Sequence, residues 1–378
     1  MQRTLLITID FPPMFGGVAN YWANLCRYLP SDSLVVLAPE YDNSLDFDIK
    51  QNYLIYRKNF LSNSRWVWPK WLPLLYHAYK VVRSEKIKKI IVAHLLPVGT
   101  VTYVIKKFLG IPYLVSVHGL DVAYSGASKR KKRLSKTILK NADKIIANSA
   151  YTQGLLAEKY SDCPEANIIY PCPSASCQNI NQERIEELRQ KYNLQNKKVL
   201  LTVGRLVERK GHDKVIEALP NILRQVPSVV YLIVGNGENY KKLKQLVEKN
   251  SLQDRVLFFT DVLDSELPYF YCLADVFIMP SRRLDDGDIE GFGIVYLEAN
   301  CYAKPAIAGR SGGAVEAVEH NVTGLLVDPM SVNEIAQAVI SLFRNEKRAQ
   351  ELGERGRNRV NLRFHWAKQA EKLRKLLI

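Results

Sequence analysis

Seven residues separate two carboxylates in the stretch Asp286-Gly-Asp-Ile-Glu290-Gly-Phe-Gly-Ile-Val-Tyr-Leu-Glu298-Ala. The frame lies between an apolar run, Asp275 to Pro280, that reads as a strand, and a helical pattern opening near Gly293. Glu290 is therefore expected on a loop at a strand mouth, and Glu298 about one turn into the helix. Between them, Gly291, Phe292, Gly293, Ile294 and Val295 offer backbone N–H groups at a helix N-terminus. The first amides of a helix lack internal partners and sit at the positive end of its dipole, which suits a phosphate. Carboxylates beside a phosphate seat suit hydroxyl groups. Read alone, the two glutamates form a glycosidase-like acid–base pair. With the phosphate seat between them they describe a nucleotide-sugar clamp: diphosphate in the middle, ribose on one side, hexose on the other.

Other strand ends carry matching chemistry. The run Lys198–Val203 ends in Gly204-Arg205-Leu-Val-Glu-Arg-Lys210-Gly211. A departing diphosphate needs positive charge where negative charge develops, and Arg205 and Lys210 can supply it. Taken singly they are also ordinary surface cations. Asp286-Gly-Asp288 resembles a pair of hard oxygen ligands for a divalent ion. With the two cations in place no metal is expected, and no other cofactor. The run Thr4–Ile9 leads to Gly16-Gly17 before a helix, where backbone can approach a phosphate or simply turn. Pro112–Val117 ends in His118-Gly119, a candidate contact to a sugar or to the reacting centre, although a lone His is more often structural. Gly235-Asn-Gly237 is half of a dinucleotide fingerprint with Tyr240 in the place of the third glycine, so it indicates only that chain or ligand passes close. Ser311-Gly312-Gly313 is either a packing turn or a second donor loop.

These groups need strands to hold them. Short apolar runs alternate with longer helical patterns along all 378 residues. This implies parallel strands covered on both faces, hence an α/β protein with two doubly wound, Rossmann-like domains. Boundaries are expected at 1–172 and 173–360, with 361–378 a terminal helix packing back on the first domain. Two such domains facing each other bring their strand ends into one cleft. A helix of about Asn345 to Arg359 is expected before the terminal one. The first apolar run is too short for a signal peptide, and no run is long enough to span a bilayer. Six cysteines without metal-like spacing suggest thiols in a reducing cytosol. Of the net charge of +15, residues 1–172 carry +11 (23 Lys and Arg against 12 Asp and Glu). The densest cations are Lys129, Arg130, Lys131, Lys132 and Arg133; Arg65, Trp66 and Trp68 interleave cations with aromatics. That composition suits an anionic membrane surface or an acidic acceptor, against the plainer reading of a solvated face. No nucleic-acid module is recognisable. Oligomeric state is not readable.

The motifs Gly16-Gly17, His118-Gly119, Gly204-Arg205 to Lys210-Gly211, Gly235-Asn-Gly237, Glu290-x7-Glu298 and Ser311-Gly-Gly together resemble a retaining glycosyltransferase of the GT-B fold, family 4. The resemblance covers nearly the whole chain, and the run from Pro280 to Glu298 resembles phosphatidylinositol mannosyltransferases and related hexosyltransferases of the cell envelope. It implies that Arg205 and Lys210 hold the donor diphosphate, with Gly204 and Gly235 lining the same seat. Glu298 accepts the ribose hydroxyls. Glu290, Gly291, Phe292, Gly293 and Ile294 contact donor sugar and phosphate. His118 touches the sugar near its reacting carbon, Gly16 and Gly17 face the phosphate, and Val262 lies against the base. The implied reaction moves a hexose, mannose favoured, from a GDP- or UDP-linked donor to a lipid-linked, polyol or glycan acceptor, without metal, on the cytoplasmic face of the membrane. Two rivals share the architecture: a nucleotide-sugar 2-epimerase, and a catalytically inactive membrane partner. Where the family has an Asn-Gly-Val-Asp turn, this chain has Pro171-Cys-Pro-Ser-Ala-Ser176.

Overall fold

Runs of Val, Ile and Leu four to six residues long form nearly all the strands, and both their faces are covered by helices, as parallel sheets require. The computed structural model describes residues 1–14, 16–60, 68–126, 128–173 and 180–378. They divide into two compact units: Met1–Pro171 with Trp366–Ile378, and Cys172–His365.

The first unit holds a parallel sheet of seven strands: β1 (Thr4–Ile7), β2 (Leu34–Ala38), β3 (Leu54–Arg57), β4 (Lys89–Val92), β5 (Tyr113–Val117), β6 (Lys144–Ala147) and β7 (Ala166–Ile168), in the order β3-β2-β1-β4-β5-β6-β7. The chain winds outward from β1 on one side and from β4 on the other, so the order reverses between them. Ile7 of β1 is in register with Leu37 of β2 and Val92 of β4. Such a reversal opens a crevice at the carboxyl ends of the two central strands, where ligands of open α/β sheets bind. The terminal helix Trp366–Leu376 packs against the helix Gly17–Arg27, with the Trp366 ring edge-on to Tyr21 at 5.9 Å.

The second unit repeats the plan with six parallel strands: β8 (Lys198–Val203), β9 (Val229–Val234), β10 (Val256–Phe259), β11 (Val276–Met279), β12 (Ala306–Gly309) and β13 (Gly324–Val327), ordered β10-β9-β8-β11-β12-β13. Its reversal lies between β8 and β11, where Leu201 pairs with Phe277.

Several boundaries differ from the sequence expectation; the second unit runs to His365 rather than 360, and the terminal helix starts at Trp366. β1 stops at Ile7 because Thr8 and Asp10 close a side-chain turn, the Thr8 hydroxyl donating to the Asp10 carbonyl at 2.7 Å and accepting from the Asp10 N–H at 3.2 Å. β7 ends at Ile168, because the Tyr170 N–H leaves the sheet to reach Gln369 Oε1 at 3.1 Å. The penultimate helix runs Glu346–Arg363, longer than expected, with Asn345 as its cap accepting from the Arg348 N–H at 3.0 Å.

Gly211 ends a 3₁₀ turn at φ +75°, and a Cβ there would lie 2.3 Å from the Pro280 carbonyl oxygen, so both backbone conformation and space demand glycine. Gly16 has extended backbone, and a Cβ would meet nothing within 4 Å. Gly211→Ala should therefore lower unfolding stability by more than ~1 kcal/mol, and Gly16→Ala by less than ~0.5 kcal/mol. Denaturant titration of both variants checks this; equal losses would contradict it.

Candidate functional site

In the second unit, the loop after β8 and the loop after β11 meet at the reversal point and bring four charges together. The turn Glu208–Lys210 buries both Arg209 and Lys210. Lys210 Nζ donates to Glu290 Oε2 at 2.6 Å, and Arg209 donates through Nη1 to the same oxygen at 2.6 Å. Arg209 Nε also stands 3.0 Å from Asp288 Oδ1. Burial alone would raise the Glu290 carboxyl, but Lys210 and Arg209 outweigh it and hold it at about 2, from an ordinary 4.5. Burial draws the Lys210 ammonium below its ordinary value; Glu290 opposes that, and Arg209 and Arg205 add to it.

The surrounding backbone fixes this cluster. Arg282 donates to both Asp213 carboxylate oxygens at 2.9 Å, and its N–H reaches the Arg209 carbonyl at 2.8 Å, bracing the 3₁₀ turn. Gly204 lies under the Lys210 side chain: a Cβ there would stand 3.6 Å from Cε and 3.8 Å from Nζ. The two glycine readings left open by the sequence resolve toward packing. A Cβ on Gly235 would lie 2.1 Å from the Gly204 carbonyl oxygen, and one on Gly237 2.6 Å from that of Leu206, so the chain itself passes close. Gly312 and Gly313 likewise leave room for the carbonyls of Glu290 and Gly291, and the Gly313 N–H donates to the Glu290 carbonyl at 2.9 Å.

Gly293 caps the helix Ile294–Cys301 at φ +86°, placing Gly291, Phe292 and Ile294 around its N-terminus. The helix is tied to β11 by Tyr296, whose hydroxyl donates to the Met279 carbonyl at 2.6 Å. Glu298 accepts from the Tyr271 hydroxyl at 2.7 Å, and Tyr271 stacks on Tyr302 at 5.6 Å. Burial raises the Glu298 carboxyl, partly countered by Tyr271, while Asp264 adds to the rise. Glu290 and Glu298 thus sit in opposite electrostatic settings. Arg205 is exposed just beyond β8, and Val262 is half-buried after β10. Asp286 and Asp288 shape the loop, with the Asp288 N–H donating to Asp286 Oδ1 at 2.8 Å. Among the described residues, no group of three His, Cys, Asp or Glu is placed to hold a metal ion.

In the first unit, His118 follows β5. Its Nε2 is 3.0 Å from Ser116 Oγ, and its ring meets Tyr21 edge-on at 5.2 Å. Burial and neighbouring His94 pull its pKa to about 3, against smaller opposing effects of Asp10 and the Ala93 carbonyl, so the ring is neutral at ordinary pH. Gly17 opens an eleven-residue helix, and a Cβ on it would meet nothing within 4 Å. Lys129, Arg130, Lys131, Lys132 and Arg133 are exposed on the first turns of the helix Lys129–Lys140, which buries Ser135, Ile138 and Leu139. The Arg130 guanidinium lies 5.5 Å above the Trp68 ring, itself 68% exposed. Arg65 and Trp66 lie outside the described residues.

Sequence reasoning missed Arg209, Arg282 and Tyr271. Which of three adjacent residues in Glu208-Arg209-Lys210 face inward depends on the 3₁₀ turn, and that turn carries no spacing signal. Tyr271 is indistinguishable from a core aromatic until its hydroxyl finds Glu298.

Glu290→Gln preserves shape and removes the charge that two buried cations share. Breaking a buried pair on one side typically costs about 3–5 kcal/mol, and a loss of this order is expected. Because the folded carboxyl is depressed, its contribution is full above about pH 4.5 and disappears as the pH falls toward about 2. The stability difference between parent and variant, measured by denaturant unfolding across that window, should shrink accordingly. A difference independent of pH would contradict this.

Comparison with known proteins identifies the family and the fold. The model for glycosyl transferases group 1 matches residues 184–359, and that for glycosyltransferase family 4 matches residues 15–172. The GDP-mannose-dependent alpha-(1-6)-phosphatidylinositol monomannoside mannosyltransferase of Mycobacterium tuberculosis is 32% identical over 379 residues, covering 99% of this chain and 97% of that protein. A GDP-mannose-dependent monoacylated alpha-(1-6)-phosphatidylinositol monomannoside mannosyltransferase of Corynebacterium glutamicum is 28% identical, covering 100% and 98%. Among solved structures, Anabaena HepE in complex with UDP and glucose matches with a TM-score of 0.84 at 19% identity over 100% of this chain and 99% of that one. Sucrose-phosphate synthase from Thermosynechococcus elongatus gives 0.83 at 24% identity over 100% and 98%. With one family model on each unit and a relative 32% identical along almost the whole length, the chain belongs to the family 4 glycosyltransferases and has the GT-B fold.

Proposed function

We propose that this glycosyltransferase is a retaining, metal-independent hexosyltransferase that takes mannose from GDP-mannose and passes it to a phosphatidylinositol mannoside or a similar polyol-bearing lipid. The observation that carries the reading is the buried ammonium of Lys210 at the mouth of β8, held by a single carboxylate oxygen. A diphosphate entering there competes with Glu290 for Lys210, while exposed Arg205 closes on it from solvent. The two cations then take up the negative charge that grows as the sugar–phosphate bond breaks, the task of an oxyanion site. Glu290, relieved of Lys210 but still held by Arg209, turns to hydroxyls of the hexose, with the amides from Gly291 to Ile294 alongside. Glu298 exchanges its Tyr271 contact for the ribose hydroxyls, and Val262 borders the base. His118, neutral and held by Ser116, serves as a hydrogen-bonding group near the reacting carbon rather than as a cation. Gly17, with open space at its α-carbon, admits the phosphate. The choice of mannose and of GDP rests on the similarity to the mycobacterial and corynebacterial enzymes.

The acceptor reading extends to the membrane. No helix among the described residues is long and apolar enough to cross a bilayer. The helix Leu72–Ser84 exposes Tyr76 and Tyr79, with Lys80 Nζ 5.6 Å from the Tyr76 ring, and Arg130 at the start of the helix Lys129–Lys140 covers the exposed Trp68. Exposed aromatics among lysines and arginines suit a headgroup layer, so peripheral association with an anionic leaflet follows.

Three measurements test the proposal. Turnover with a panel of nucleotide-sugars, with and without a chelator, should single out GDP-mannose and be insensitive to the chelator; loss of activity that added divalent metal restores would refute metal independence. Lys210→Ala should lower turnover at least ~10²-fold, and near-parental turnover would place the diphosphate elsewhere. Sedimentation with vesicles should favour anionic over neutral lipid and weaken with salt; equal, salt-insensitive partitioning would remove the electrostatic account. Epimerisation of the donor without an acceptor would instead favour an epimerase.

A further inference from the structure

The two sheets reverse their winding in the same way, and in the second unit the reversal point carries the Lys210–Glu290 cluster. The corresponding point in the first unit carries a different constellation. Asp10 follows β1, His94 follows β4, and the two stand on either side of the reversal. His94 Nε2 lies 3.0 Å from Asp10 Oδ2. His118 follows the next strand, β5, its ring centroid 6.5 Å from that of His94. The sequence motifs singled out His118 alone.

The surroundings hold Asp10 in place and leave its side chain partly exposed to solvent. Its backbone is locked into the Thr8 turn. The following loop is fixed by Arg57, which donates to the Pro12 carbonyl at 2.6 Å while pairing with Asp48 at 2.7 Å. Tyr41 reaches the Ile9 carbonyl at 3.3 Å. The His94 side chain is 12% exposed, but that of Asp10 is 35% exposed. His94 Nδ1 is buried with no hydrogen-bond partner. A buried imidazole nitrogen left unsatisfied works against stability, so a purely structural His–Asp contact accounts poorly for this arrangement.

The chemistry of the opening selects its ligand. A carboxylate repels phosphate and accepts from hydroxyls. Neutral His118 adds a hydrogen-bonding group without charge. Neighbouring strands lie about 4.8 Å apart, so the ends of β1 and β5 span roughly 10 Å, comparable to one six-membered polyol ring with its hydroxyls. We propose that Asp10, oriented by His94, accepts a hydrogen bond from a ring hydroxyl of the acceptor substrate and so determines which neutral polyol ring the enzyme glycosylates. His94 is then a positioning residue acting through Asp10. The inference rests on the hexosyltransferase reading and adds the group that recognises the acceptor.

The test uses the full chain, GDP-mannose, and phosphatidylinositol monomannoside in mixed anionic vesicles. Asp10→Asn should raise the acceptor KM roughly ten- to hundredfold, the usual effect of losing a hydrogen bond to a charged group. The dissociation constant for GDP-mannose, read by calorimetry, should stay within about twofold of the parent. His94→Ala should also raise the acceptor KM. His94→Gln, whose amide can donate where Nε2–H did, should restore most of the loss. An unchanged acceptor KM in Asp10→Asn would overturn the proposal. So would a parallel loss of GDP-mannose affinity, which would assign Asp10 to the donor, or a loss explained by unfolding at the assay temperature. Failure of the parent to transfer mannose at all would remove the functional reading, and this inference with it.

Discussion

One carboxylate oxygen of Glu290 accepts from two cations at once, and the second unit is organised around that fact. Ionised groups taken out of water are costly, and the attraction between them offsets the cost only when geometry is tight. Here tightness comes from backbone. Gly211 lets the turn after β8 pass beneath Pro280, Arg282 braces the Arg209 carbonyl, and Gly312 and Gly313 let a neighbouring turn close on the Glu290 loop. Arg209 and Lys210 divide the work. Arg209 is anchored a second time by Asp288, whereas Lys210 pairs with Glu290. The cation with the fewer ties is the one suited to exchange partners when a ligand arrives.

The two units use one topology for two chemistries. Each sheet reverses at its centre, and each reversal carries charge on the loops that leave its central strands. In the second unit the buried set is rich in cations and suits phosphate. In the first unit, aspartate and neutral imidazole suit hydroxyls. This division suits the proposed transfer of a sugar from a charged donor to a neutral ring.

Much of this was legible in the sequence, for reasons that particular residues make plain. The alternation of apolar runs and helical patterns announced two doubly wound sheets, because a parallel strand buried on both faces has no polar positions to confuse it. Glu290, Glu298, Arg205 and Lys210 stood out because their spacing straddles strand ends and a helix N-terminus. What spacing could not show was partnership. Nothing in the order Glu208-Arg209-Lys210 says that Arg209 turns inward with Lys210. Asp10 and His94 are 84 residues apart and meet only because β1 and β4 are neighbours in the sheet. Gly235 and Gly237 resembled a cofactor fingerprint, yet their lack of side chains makes room for the Gly204–Leu206 loop. Nor could spacing show that strand β7 ends at Ile168, where a tertiary contact, Tyr170 to Gln369, draws the backbone out of the sheet.

The central claim is that the donor diphosphate displaces Glu290 from Lys210. A crystal structure of the protein with GDP-mannose bound tests it most directly. The account predicts Lys210 Nζ within about 3 Å of a diphosphate oxygen, with the Glu290 carboxylate turned to the hexose hydroxyls and still held by Arg209. Phosphates bound elsewhere, with the Lys210–Glu290 ion pair intact, would contradict it.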